Sequence, residues 1–144
     1  MSSKAYWFLQ DHIIYVQNAG DLTAEDFRSV DKEIIAYMKE AKESSPSARV
    51  HVLVDSLQMT KLPSLLDLEG GRILKYMQQP NCGTTVVVGV NNSLLNIISR
   101  LLTATMGVKL HMTDSLDKAV AYYKNLDPSV DGVPDVEAWK DNLS

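Results

Sequence analysis

Polar and apolar positions along the chain switch repeatedly between a two-residue and a 3.6-residue period, and the switches mark out the elements. In "AYWFLQDHIIYVQ", Tyr6, Trp7, Phe8 and Leu9 form one β-prone run and Ile13, Ile14, Tyr15 and Val16 a second. Gln10-Asp11 reads as the turn of a hairpin between them. Asn18-Ala19-Gly20 predicts the end of the second strand. In "LTAEDFRSVDKEIIAYMKEAKE", Phe27, Val30, Ile34, Met38 and Ala41 recur at steps of three and four, which predicts a helix. Thr23 stands as its cap, with Asp26 completing a weaker form of the capping box. Arg28, Asp31, Lys32, Lys39 and Lys42 fall off the apolar face, and "SSPSA" (44–48) is a loop.

"RVHVLVD" is nearly continuous in Val and Leu, as suits a strand covered on both faces in a parallel sheet. It is expected to end at Asp55, a turn residue whose carboxylate accepts backbone N–H groups. A helix is predicted from Pro63 or Ser64 to about Gln78. Gly70-Gly71 inside it costs roughly 1 kcal/mol per glycine, and close packing on the sheet is the expected reason, with a ligand approaching the backbone as the alternative. "TTVVVGV" is a buried strand. Asn91-Asn92-Ser93 caps a helix, "LLNIISRLLTATM", with a broad apolar face from Leu94 and Leu95 through Ile97, Ile98, Leu101 and Leu102. "GVKLHM" is a short strand. "DSLDKAVAYYKNL" is the last helix, capped near Thr113 or Asp114, with Leu116, Ala119, Val120 and Tyr123 inward. Residues 127–144 form a tail in which a short helical turn packs Trp139 back on the domain. The order is β-β-α-β-α-β-α-β-α. That is an α/β fold with a mixed sheet, antiparallel at its first strand and parallel after it, in one domain over residues 1–126 followed by the tail.

Composition narrows the function classes. The chain has 144 residues, 45% hydrophobic and 22% charged, with a formal net charge of -4. An acidic surface argues against nucleic acid and anionic lipid as partners. The single cysteine, Cys82, allows neither an internal disulfide nor a cysteine zinc framework. The longest apolar segment, around "SLLNIISRLL", is interrupted by Asn96, Ser99 and Arg100 and is too short for a transmembrane span. No stretch has the order of a signal peptide, so a cytoplasmic location is expected.

Candidate chemistry is sparse. His12, His51 and His111 each fall in or beside a strand, at the surface or half-buried, with no nucleophile next to them. "EGGR" and "NCGTT" match neither phosphate-loop nor dinucleotide patterns. No spacing of His, Asp and Glu suggests a metal. Asp55 at the end of a central strand suggests a phosphate-receiver domain, but the acidic pair such a site needs is missing from "YWFLQDHIIY". No catalytic residue, metal or cofactor is assigned, and an enzyme is not expected.

Three segments carry a family resemblance. "AGDLTAEDF" (19–27) resembles the Gly-x-Leu-(Thr/Asp) approach to the first helix in the STAS superfamily, within its SpoIIAA-like branch. "VHVLVDSLQMTKLPS" (50–64) resembles the central strand, terminal Asp and following loop. "GVKLHMTDSLDKAVAYY" (107–123) resembles the closing strand and helix. The resemblance covers roughly residues 4–126. It implies a STAS/SpoIIAA-like fold and a bacterial regulatory protein similar to anti-sigma factor antagonists, acting by protein contact. In that family a serine at the start of the second helix is phosphorylated, within the phrase Asp-Ser-Ser-Gly. Laid on this chain, the phrase falls at Pro63, Ser64, Leu65 and Leu66. Leu65 stands at the place of the usual phosphorylated serine. Ser64, the neighbouring hydroxyl, is the residue left for phosphorylation. It also fits a helix cap, with Asp67 three residues on.

Leu62, Pro63, Leu65 and Leu66 make this corner apolar, and Leu94 and Ile98 lie on the wide face of the third helix. Together with Ser64 these residues are the expected binding surface for a protein partner, or for a second subunit in a homodimer. The alternative is a carrier or sensor holding a small nonpolar, lipid-like ligand between the two helices. Tyr37, Tyr76, Arg72 and Arg100 are the expected polar contacts at its rim.

Overall fold

The computed structural model describes residues 2–61, 75–89 and 109–143. Strand β1 (Ser2–Leu9) turns back through Gln10–His12 into β2 (Ile13–Asp21). The turn closes with His12 N–H donating to the Leu9 carbonyl at 2.9 Å. Asp11 sits there at φ 66°, a left-handed conformation that Asp adopts more readily than most residues. After helix α1 (Ala24–Ser44) come β3 (Val50–Lys61), a 3₁₀ turn (Lys75–Gln78), β4 (Cys82–Val88) and β5 (Leu110–Thr113). Helices α2 (Leu116–Leu126) and α3 (Val136–Asp141) close the described chain. The five strands form one sheet in the order β1-β2-β3-β4-β5. The β1/β2 pair is antiparallel and the remaining pairs are parallel, as the sequence predicts.

Two strand ends differ from expectation. Strand β2 does not stop at Asn18-Ala19-Gly20, because that stretch pairs on both sides. Asn18 and Ala19 meet Ser3 and Ser2, while Ala19 and Gly20 meet Gln58 and Met59. Gly20 supplies a φ of 73° where the register shifts. Strand β3 likewise continues past Asp55 to Lys61. Ladder hydrogen bonds from a neighbouring strand outweigh local turn preference in both places.

Helix α1 carries the full capping box. The Thr23 hydroxyl accepts from Asp26 N–H at 3.2 Å, and the Asp26 carboxylate accepts from Thr23 N–H at 2.8 Å. Val30, Ile34, Met38 and Ala41 are buried, but so is Asp31, which periodicity assigns to the outside. Its carboxylate accepts from Tyr76 N–H at 3.0 Å and caps the 3₁₀ turn. Burial pushes the Asp31 carboxyl above its ordinary value against those hydrogen bonds. The cap of α2 is Ser115, whose hydroxyl accepts from Lys118 N–H at 3.2 Å, not Thr113 or Asp114.

The sheet is covered on both faces. Helix α1 packs Val30, Ile34 and Met38 on Ala5, Ile14, Val16, Val50 and Val52. Helix α2 packs Leu116, Ala119, Val120 and Tyr123 on the other face, against Ile13, Tyr15, Leu53 and Val86. The expected inward positions of α2 are therefore all buried. Residues after 126 extend this second layer. Val130 and Val136 are buried in it. Trp139 meets Phe8 and Tyr15 edge-on, with centroids 4.9 and 5.0 Å apart, as its expected packing on the domain requires. Such aromatic pairs contribute about 0.5–1.5 kcal/mol each beyond the area they bury. No helix among the described residues is long and apolar enough to cross a membrane.

Candidate functional site

Asp55 opens a polar, buried cluster. Its position in a strand facing α3 leaves it only 1% exposed. The Tyr15 hydroxyl, one strand away, donates to Asp55 Oδ2. Lys140 Nζ reaches the same oxygen at 2.8 Å from α3. Leu57 N–H donates to Oδ1 at 3.1 Å, so the carboxylate does accept a backbone N–H two residues on, though from within a strand. Burial, then the Asp55 hydrogen bond and charge, pushes the Tyr15 hydroxyl well above its ordinary value. Tyr15 is thus a fixed donor and not an acid or base near neutral pH. Close by, Ser3, Asn18 and Ser56 form a buried chain. Ser3 Oγ donates to Asn18 Oδ1 at 2.5 Å, and Asn18 Nδ2 donates to Ser56 Oγ at 3.3 Å.

A second cluster occupies the start of β3 and β4. The register there jumps between Val50↔Cys82 and Val52↔Thr85, which places one extra residue in β4 and interrupts the ladder. Side chains supply the missing bonds. Thr84 N–H donates to His51 Nδ1 at 3.0 Å. The Tyr123 hydroxyl donates to the Val52 carbonyl at 2.7 Å, lies 3.0 Å from the Thr84 carbonyl, and accepts from Val86 N–H at 3.1 Å. Because Nδ1 accepts, the proton sits on His51 Nε2, which donates to Asp127 Oδ2 at 2.8 Å. The ring stacks on Tyr123 with centroids 4.9 Å apart. Gly83 makes room for it, since a Cβ there would lie 2.4 Å from His51 Nδ1.

Burial lowers the His51 pKa from 6.5, outweighing the Asp127 hydrogen bond and charge that raise it. For Asp127, burial pushes upward, but hydrogen bonds from Ser129 and His51 hold the carboxyl below its ordinary value. His51 is therefore buried, where the sequence suggested a surface or half-buried ring, and both its nitrogens are engaged. Burial pushes the Cys82 thiol up to about 11, so it stays protonated. Among the described residues no group of His, Cys, Asp and Glu could hold a metal ion.

The expected binding residues Leu62, Pro63, Ser64, Leu65, Leu66, Leu94 and Ile98, and the rim residues Arg72 and Arg100, lie outside the described residues. Of the other rim candidates, Tyr76 is 1% exposed with its hydroxyl 3.0 Å from Thr85 Oγ1, so it faces the core. Tyr37 is half-buried against Trp7, and its hydroxyl donates to the Ala5 carbonyl at 3.4 Å. Sequence reasoning missed Tyr15, Lys140, Tyr123 and Asp127 as partners of Asp55 and His51. Only a buried tyrosine at an inward helix position hinted at a hydroxyl that needs a partner.

No protein-family model matches the sequence, and a search of curated proteins finds no match. Among solved structures, the chain is similar to the anti-sigma factor antagonist SpoIIAA in its unphosphorylated form. The TM-score is 0.52 at 11% sequence identity, over 86% of this chain and 98% of that one. The fold is a mixed five-stranded α/β sandwich of the STAS/SpoIIAA type, as the sequence resemblance implied.

Proposed function

We propose that this chain is a non-catalytic regulatory module that binds a protein partner through the corner following β3, Leu62 to Leu66, together with Leu94 and Ile98. The observation that carries the reading is the likeness of fold to an anti-sigma factor antagonist over nearly all of that protein's length. The polar interior supports it. Asp55 and His51, the two residues with most catalytic promise, spend their hydrogen-bonding capacity on Tyr15, Lys140, Thr84 and Asp127.

Leu65 stands where the resembling family carries its phosphorylated serine, so the usual switch is missing. Control by phosphate at this corner falls to Ser64. A group carrying roughly -1.5 to -2 charge at a predicted helix start alters the local field strongly. The partner is a protein, with a second copy of the chain as one form of it, in a bacterial cytoplasmic setting.

The test is Leu65→Asp, with folding followed by circular dichroism and thermal melting, and binding by affinity capture against wild type. A binding corner predicts an unchanged melt and a lost partner. Strong destabilisation would place Leu65 in the core, through an unpaired buried charge, and would sink the assignment. Loss of a bound nonpolar molecule in place of a protein would favour a lipid-like ligand at the same corner.

A further inference from the structure

We infer that the N-terminal end of the sheet carries a binding cleft for a small organic anion with an apolar group. This goes beyond the partner corner: the cleft lies at the Val50 end of β3, the end away from Lys61. The cleft has a volume of about 560 Å³ and opens where the β4 bulge, the start of β5 and the end of α2 meet. That volume suits one small molecule.

Two cations flank it. Arg49 is exposed, and among the described residues its guanidinium donates only to the Pro80 and Cys82 carbonyls, at 3.3 and 3.5 Å. Those contacts orient the group without neutralising it. Lys109 is exposed and also lines the cleft. Neither has a carboxylate within ion-pair distance among the described residues. The one acid in the cleft, Asp127, is already bound by His51 and Ser129. A local positive balance on a chain of net charge -4 is the electrostatic signature of an anion site.

His51 and Thr84 also line the cleft, and the rest of the lining is apolar and held in place. Tyr122 lines the cleft with its ring stacked on His111 at 3.9 Å and 4°. Leu126 adds a large side chain 46% exposed at the same wall. Gly83, in the bulge, adds a lining position without a side chain. Cations would fix an anionic head while Tyr122 and Leu126 cover an apolar body.

The experiment is an amide NMR titration of the full chain with phenyl phosphate, benzoate, inorganic phosphate and benzylamine. Phenyl phosphate or benzoate should give saturable shifts at Gly83, Lys109, Leu126 and Asp127, with a dissociation constant on the order of 1 mM or tighter. Inorganic phosphate should bind about tenfold more weakly, because it leaves the apolar wall unused. The Arg49→Gln/Lys109→Gln variant should keep its melting temperature and lose about tenfold in affinity. Should that variant melt early, Lys109→Gln alone carries the same prediction. Absence of saturable shifts, equal binding of benzylamine, or undiminished binding by the variants would overturn the proposal. Equal affinity for inorganic and phenyl phosphate would overturn its apolar half. None of these readouts depends on the partner corner.

Discussion

Two polar clusters fasten the C-terminal segment to the same face of the sheet, and they do so with different chemistry. At Asp55 the fastener is an ion pair to Lys140 with a tyrosine proton added. At His51 it is an imidazole that donates to Asp127 and accepts from Thr84, mending a ladder broken by a bulge. The ion pair has to offset the desolvation of two charges, so its presence adds little over a packed apolar pair. Breaking one side of it, however, leaves a buried charge alone. The imidazole is neutral when bonded this way, and what it guards is backbone that would otherwise be unpaired. The comparison teaches that buried acid and histidine residues here act as fasteners, and that each fails under a different insult.

The largest effect is expected from Asp55→Ala. It strands the Lys140 ammonium and the Tyr15 hydroxyl together and should destabilise by roughly 3–4 kcal/mol. Lys140→Met should cost less, about 2 kcal/mol, because Tyr15 and Leu57 N–H still serve the carboxylate. Urea unfolding of both variants checks the order. Equal, near-zero losses would mean the pair is shared with solvent and would remove one side of the comparison.

Gly83→Ala comes next. Its Cβ would stand 2.4 Å from His51 Nδ1 and 2.8 Å from Cε1. The ring must move and release Thr84 N–H, at a cost of about 2 kcal/mol. A neutral substitution would show that the bulge does not need the imidazole where it stands.

The smallest effect is a pH dependence. His51 has a lowered pKa in the folded protein, so the unfolded chain binds the proton first. Its contribution is complete above its ordinary value of 6.5 and is lost as pH falls from there through the folded value. Asp127, also lowered, adds a further loss below its ordinary value of 3.8. Thermal melts between pH 7.5 and pH 5 should fall for wild type and flatten in His51→Gln. Parallel curves would contradict the role given to the ring.

Much of the fold was legible because periodicity speaks directly about faces. The α1 stripe Val30, Ile34, Met38 and the α2 stripe Leu116, Ala119, Val120 and Tyr123 are buried as their spacing says. What stayed hidden depends on partners distant in sequence. Nothing local tells that the stretch Asn18-Ala19-Gly20 will be held in a strand, Asn18 by β1, Gly20 by β3 and Ala19 by both. Nothing near Asp31 tells that a 3₁₀ turn will bring it Tyr76 N–H. Lys140 sits in a polar tail, and only the aromatic neighbour Trp139 signals that the tail returns to the sheet where Asp55 lies. The corner from Leu62 to Leu66 was read from resemblance and apolar character, and those residues lie outside the described ones.

The central claim is that the chain works by holding a protein partner. Native mass spectrometry of the protein purified from its own cells tests it most directly. The expected spectrum shows the chain together with a second protein, or with a second copy of itself, dissociated by Leu65→Asp. A chain carrying only a noncovalent small molecule, unchanged in Leu65→Asp, would contradict it.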